Sequence, residues 1–174
     1  MRWALIVVGV AVASLASLTG VGALLPKRHL VARRAVYARS PEAIWAAITD
    51  YEGQAAWRAD LSRVETLPGR DGHAIWRETG RHGSMILETT EASPPHRLVR
   101  RIADPDLPFG GRWIYEIESV DGGAALTITE EGEVYNPIFR AVSRLMGPGR
   151  TAETYLRALG VKLGEDITVE RTRS

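Results

Sequence analysis

Hydrophobic residues fall along this chain in three rhythms. In the first, from Trp3 to Leu25, they run without a charged interruption: WALIVVGVAVASLASLTGVGALL. As a helix at about 1.5 Å per residue, that stretch is about 34 Å long, enough for a hydrocarbon core of about 30 Å. It is too long and too uniformly apolar for an ordinary buried helix, so the sequence predicts a single-pass transmembrane anchor over residues 1–25. A cleavable signal sequence is the alternative. Val21-Gly22-Ala23 has the small-x-small form that signal peptidase accepts, although Arg2 and the amine are the only basic groups before the apolar run.

The second rhythm is alternation. Leu30–Ala38, Arg63–Leu67, His73–Thr79, Ser84–Glu91, Arg97–Ala103, Arg112–Ser119 and Ala124–Val134 read as strands. Pro68–Gly72, Gly80–Gly83, Ser93-Pro94-Pro95 and the loop 104–111 punctuate them, and Asp121-Gly122-Gly123 is a strong hairpin signal.

The third rhythm is helical. Ser40 is a good N-cap, Pro41 suits the first helical position, and Ile44, Trp45 and Ile48 give a short helix its buried face. Tyr51–Leu61 follows as a second short helix or turn. Trp45 and Trp57 read as core anchors. Ile138, Val142, Leu145 and Met146 set a helix over 136–146, which Gly147-Pro148-Gly149 must break or kink. Helix resumes at Thr151 with Tyr155, Leu156, Leu159 and Leu163 on one face. The expected organisation is therefore an anchor at 1–25, a linker at 26–29, a folded domain at 30–165 and a frayed polar tail at 166–174. Strands and helices kept apart in this way indicate an α+β fold.

Charge changes the picture only at the membrane. The 174 residues carry 22 Lys+Arg against 21 Asp+Glu, a formal net charge of +1. That balance gives no reason to expect nucleic-acid binding. Arg2 apart, the chain is formally neutral. Lys27, Arg28, Arg33 and Arg34 follow the apolar run, and positive-inside counting then places the domain in the cytoplasm. If Arg33 and Arg34 belong to the first strand, the two flanks tie. The short linker sets the domain against the bilayer. Nothing in the sequence sets an oligomeric state.

The chemistry is sparse. With Cys 0 there is no disulfide, thiol nucleophile or cysteine-bound zinc. His29, His73, His82 and His96 lack metal-ligand spacing and read as surface residues. No GxSxG elbow appears, and Gly110-Gly111 lacks a phosphate-loop context. Alternation nevertheless turns some polar residues inward. Trp76 and Glu78 share one face, as do Trp113 and Tyr115, and Leu98 and Ile102 bring Arg100 with them. Leu126 and Ile128 bring Glu130 inward unless Gly132 marks a bulge; otherwise Glu130, Glu131 and Glu133 form a solvated strand edge. Trp76, Glu78, Arg100, Trp113, Tyr115 and Glu130 are thus the candidate ligand-binding residues. A buried structural ion pair would leave the same pattern.

Several stretches carry a resemblance: Ser40-Pro41-Glu42-Ala43-Ile44-Trp45, Trp57-Arg58-Ala59-Asp60, Pro94-Pro95-His96-Arg97-Leu98-Val99, Leu107-Pro108-Phe109-Gly110-Gly111 and Thr127–Pro137. With Tyr155–Leu159 they resemble the SRPBCC (START-like) superfamily, in its polyketide cyclase/dehydrase and lipid transport branch. The apolar N-terminus is similar to an anchored subgroup. The resemblance implies a helix-grip fold, a curved antiparallel sheet wrapped on a long C-terminal helix with an apolar cavity between. It implies no cofactor and no catalytic signature, since one fold hosts carriers, cyclases and receptors. The expectation is a tethered carrier whose partners are a hydrophobic small molecule and the membrane bilayer. One alternative is a cyclase or dehydratase in which Glu78, Arg100, Tyr115 or Glu130 orients the substrate. The other is a non-catalytic interaction module at the membrane.

Overall fold

The computed structural model describes residues 2–81, 83–147 and 149–172, with the side chains of Arg2, Ala4, Leu5, Val8 and Met146 excepted. The expectations for His82, Pro148 and the Met146 side chain lie outside the described residues.

Helix α1, Arg2–Leu24, forms where the charge-free run predicts a helix. The unbroken run of described side chains in it is residues 9–24, and among the described residues no helix is long and apolar enough to cross a membrane. A span is not thereby shown. Leu25, Pro26 and Lys27 alone connect α1 to strand β1, Arg28–Tyr37, which begins two residues earlier than alternation suggested. Helix α2, Pro41–Thr49, starts as read: the Ser40 hydroxyl accepts from the Ala43 amide at 3.3 Å. A 3₁₀ turn, Glu52–Ala56, follows.

The strands β2 (Leu61–Arg70), β3 (His73–Gly80), β4 (Gly83–Ser93), β5 (Arg97–Ile102), β6 (Phe109–Val120) and β7 (Gly123–Val134) then succeed one another. They build one curved antiparallel sheet in the order β2-β3-β4-β5-β6-β7-β1-β8. The polar tail expected to fray supplies β8, Glu170–Thr172, which pairs with the free side of β1.

The expected long C-terminal helix is two helices. Helix α3, Pro137–Met146, is capped by the Asn136 carboxamide, which accepts from Ile138 and Phe139. Helix α4 runs Arg150–Leu163. Between them Gly147 and Gly149 take φ of +83° and +81°, a left-handed backbone that glycine adopts without a Cβ clash. Helix α4 grips the concave face. Its Leu156 and Leu159 meet Leu98, Leu126 and Ile128 of the sheet and Ile44 and Ile48 of α2, all fully buried. Each such side chain contributes about 2 kcal/mol through burial. The Tyr37 hydroxyl, donating to the Leu156 carbonyl at 2.9 Å, ties β1 to that helix. Trp45 and Trp57 are partly buried and pack against this core.

Helix α3 leaves the sheet and crosses the end of α1. Gly22 lies so close to Pro137 that a side chain there would strike its carbonyl. Buried Arg140 binds the junction with all three nitrogens: Nε to Val134 O at 3.1 Å, Nη2 to Tyr135 O at 3.0 Å, and Nη1 to Gly22 O and Leu25 O at 2.9 and 3.1 Å. The last carbonyls of a helix lack intrahelical partners and carry partial negative charge, which a guanidinium satisfies.

Candidate functional site

Strand alternation turns Trp76, Glu78, Arg100 and Tyr115 to the concave face, as expected, and their side chains are buried there. The structure fills this region with partners that alternation does not reveal. Arg58, just beyond the 3₁₀ turn, places Nη1 3.0 and 3.1 Å from the two Glu78 oxygens and Nη2 2.7 Å from Asp60. Trp76 Nε1 donates to the same Glu78 carboxylate at 3.1 Å. Gln54, fully buried, accepts from Arg58 and donates to the Ile48 carbonyl. Arg100 also donates to the Ile48 carbonyl and lies over the rings of Tyr115, Tyr51 and Trp76, 4.6, 5.1 and 5.4 Å from their centroids.

This cluster holds two buried guanidinium groups against one fully buried carboxylate, Glu78, with Asp60 half in water. Burial opposes the Arg58 charge, but Glu78 and Asp60 outweigh it and raise its pKa. Burial likewise opposes the Arg100 charge, and the surrounding tyrosine oxygens, Tyr115 foremost, with Glu78 reverse the balance. Burial pushes the Tyr115 and Tyr155 hydroxyls above the ordinary tyrosine range against the pull of Arg100 and Arg58. Both phenols stay protonated and can donate. The Tyr155 hydroxyl is near enough to feel Arg100, yet makes no hydrogen bond of acceptable geometry, and the residue is 5% exposed.

Beside this cluster opens a cavity of about 550 Å³. Arg58 and Tyr155 form its buried inner wall. Leu25–His29, Glu130, Ser143, Arg144 and the α3–α4 break form its mouth. Leu25, Pro26 and Val134 give the wall an apolar strip among charged and polar residues, and Lys27, Arg144 and Arg150 make the rim cationic. Of the six residues expected to line a cavity, Glu130 is the one in this wall. Trp76, Glu78, Arg100 and Tyr115 stand behind it, packed on Arg58 and Tyr155.

Glu130 has its own partners. Trp113 sits opposite it in the β6–β7 register and donates Nε1 at 3.2 Å, while His29 Nε2 is 2.9 Å from its other oxygen. The β6–β7 register continues unbroken through Gly132, so there is no bulge there and Glu130 points inward. Gly132 has a different job: a side chain there would collide with the His29 ring, which lies across it. His29 is thus a strand residue in the cavity wall and not the surface histidine read from the linker. Glu131 and Glu133 do face outward, paired with Arg112 at 2.6 Å and Arg28 at 2.7 Å. Among the described residues no group of three His, Asp or Glu side chains could hold a metal ion.

Sequence reasoning missed Arg58, Tyr155, His29, Tyr51 and Gln54 as site residues. Tyr155 carried a signal of a kind, a phenol on an otherwise aliphatic helix face. Arg58 carried none.

A sheet gripping a C-terminal helix, with a cavity at the mouth between them, defines a helix-grip protein. Residues 28–160 match the family described as polyketide cyclase / dehydrase and lipid transport, and the chain belongs to that family. Solved structures repeat the fold. The Zhui aromatase/cyclase from a Streptomyces species is 13% identical, with a TM-score of 0.68 over 79% of this chain and 94% of that one. A conserved protein from Geobacillus kaustophilus is 14% identical, with a TM-score of 0.64 over 82% and 99% of the two chains. A START superfamily protein from Mycobacterium smegmatis is 17% identical, with a TM-score of 0.60 over 78% and 97%. No curated relative matches by sequence.

Proposed function

We propose that this protein is a membrane-tethered binding or carrier protein for a hydrophobic small molecule, such as a lipid, a quinone or a polyketide-like compound. The cavity carries the reading. Its wall runs from the apolar strip of Leu25, Pro26 and Val134 beside α1 to Arg58 and the Tyr155 hydroxyl, which suits an apolar body with a polar end. Helix α1 supports the tether. Trp3, Ile6, Val10, Leu15 and Leu24 are all exposed, and among its residues whose exposure is described Gly22 alone is buried. A helix belonging to a water-facing fold would bury such a surface. The sequence supplies the length, with no charge from Trp3 to Leu25. With Arg33 and Arg34 in β1, Lys27 and Arg28 only balance Arg2 and the amine, so the flanking charges favour neither side of the membrane.

Native mass spectrometry of the full chain released from detergent tests the binding reading. An apolar adduct of defined mass on the native chain, absent from Thr154→Trp at the cavity mouth, is the expected result. No adduct, or equal adducts on both, would overturn it.

One observation favours an enzyme as the second reading: the His29–Glu130 pair shares the cavity wall with Tyr155. His29 could take a proton beside a substrate carbonyl while the Tyr155 phenol donates to its oxygen, a cyclase-like or dehydratase-like step. This reading expects His29→Gln to keep the adduct and lose turnover of a polyketide surrogate.

A further inference from the structure

The outer face of α3 carries a row of apolar side chains that the fold leaves in the open. Phe139, Val142 and Leu145 recur at i, i+3 and i+6, and they are 51%, 41% and 85% exposed. The opposite side of the helix is spoken for by Arg140 and Ala141, both buried. An ordinary surface helix is built the other way round, with its aliphatic row toward the core. Helix α3 is also fastened to α1 and not to the sheet alone, through the Gly22–Pro137 approach and the Arg140 bonds to the last carbonyls of α1. The exposed row therefore continues the apolar surface of α1. Arg144, next in the chain to Leu145, and Lys27 and Arg150 at the adjoining cavity mouth have no acidic partner among the described residues.

From this we infer that α3 is a second membrane contact, an amphipathic foot lying in the headgroup boundary of the bilayer with Phe139, Val142 and Leu145 turned into the acyl chains. The chemistry is that of an interfacial helix: an apolar row about 5–10 Å deep, with basic residues level with phosphate groups. The occupant of the face is a lipid surface, because the row is continuous with α1 and its border is cationic. This rests on the tether proposed above and adds an orientation. Ser143, Arg144 and the α3–α4 break belong both to the foot and to the cavity mouth. A seated foot turns that mouth toward the leaflet, so an apolar ligand passes between bilayer and cavity without crossing water.

The chain has no cysteine, so single cysteines report cleanly. Full-length Leu145→Cys, Val12→Cys and Asp121→Cys would each be labelled with an environment-sensitive fluorophore. They would be reconstituted in phosphatidylcholine vesicles, with and without phosphatidylserine, that contain a lipid-borne quencher. Leu145 is so exposed that its substitution leaves the fold intact. The expected result is blue-shifted, quenched emission at positions 12 and 145, with position 121 reporting water. Quenching at 12 with water at 145 overturns the foot and leaves the tether standing. Quenching at 145 with water at 12 upholds the foot and removes the tether. Water at both removes both.

Discussion

Arg58 and Glu78 meet face to face inside the fold, one guanidinium nitrogen 3.0 and 3.1 Å from the two carboxylate oxygens, with side chains only 9% and 3% exposed. The pair closes the inner end of the cavity, and Asp60 and Trp76 satisfy what it leaves over. Two charges this deep hold each other in place; neither is tolerated alone.

Glu78→Gln should therefore destabilise the protein by about 3 kcal/mol, because it leaves the buried Arg58 with only the half-exposed Asp60 as its counter-charge. Arg58→Met combined with Glu78→Leu should cost much less than the sum of the single changes. Urea denaturation of the full chain and the three variants in detergent micelles measures this coupling. Additive effects would show that the pair is not a unit.

The tyrosines set an alkaline limit. Burial raises the pKa of Tyr37, Tyr115 and Tyr155 in the folded state. Unfolded, they ionise near pH 10. Above that pH the unfolded chain has released protons that the folded chain keeps, so stability is full below about pH 10 and falls as pH rises beyond it. Tyrosinate absorbance from Tyr37, Tyr115 and Tyr155 should appear only together with loss of circular dichroism. A single smooth titration with the fold retained would contradict this.

Tyr155→Phe separates binding from folding. The hydroxyl makes no hydrogen bond of acceptable geometry among the described residues, though Arg100 acts on it, so its removal should change stability by about 1 kcal/mol or less. If it meets the ligand, retention should fall about tenfold, equivalent to about 1.4 kcal/mol. Paired thermal-unfolding and ligand-retention measurements decide. Unchanged retention would place the ligand elsewhere in the cavity.

Arg140→Ala should loosen the joint between α1 and the domain without dissolving the core. It leaves several backbone carbonyls without their donor, a loss of about 2 kcal/mol. Lysine should not rescue it, being a point charge that cannot fork to four carbonyls. Hydrogen exchange should speed up at residues 22–25 and 138–140 while β5–β7 stay protected. Uniform loss of protection would mean that Arg140 supports the whole fold.

The strands were legible because one face of each is buried, which writes a period of two into the chain; Leu126, Ile128 and Glu130 point inward as alternation requires. The start of α2 was legible because Ser40 before Pro41 is a local signal, whereas α3 was legible from the spacing of Ile138, Val142, Leu145 and Met146. The site was legible only by halves. Glu78 and Arg100 advertise themselves by sharing strands with core residues. Arg58 sits on an aperiodic connection and reaches Glu78 only through tertiary packing. Tyr155 was read as core, and its ring is; the end of the ring carries the chemistry. His29 lay where the strand was thought not to have begun, and its contact depends on the bareness of Gly132 across the ladder.

The connection between α1 and β1 is Leu25, Pro26 and Lys27. At about 3.5 Å per residue that is a reach of about 10 Å. With α1 in a bilayer, the domain has no leash on which to ferry cargo across to another membrane. On the proposed tether, traffic would be confined to the leaflet the domain stands on, a ligand would be searched for only in two dimensions, and onward delivery would fall to an acceptor that comes to it.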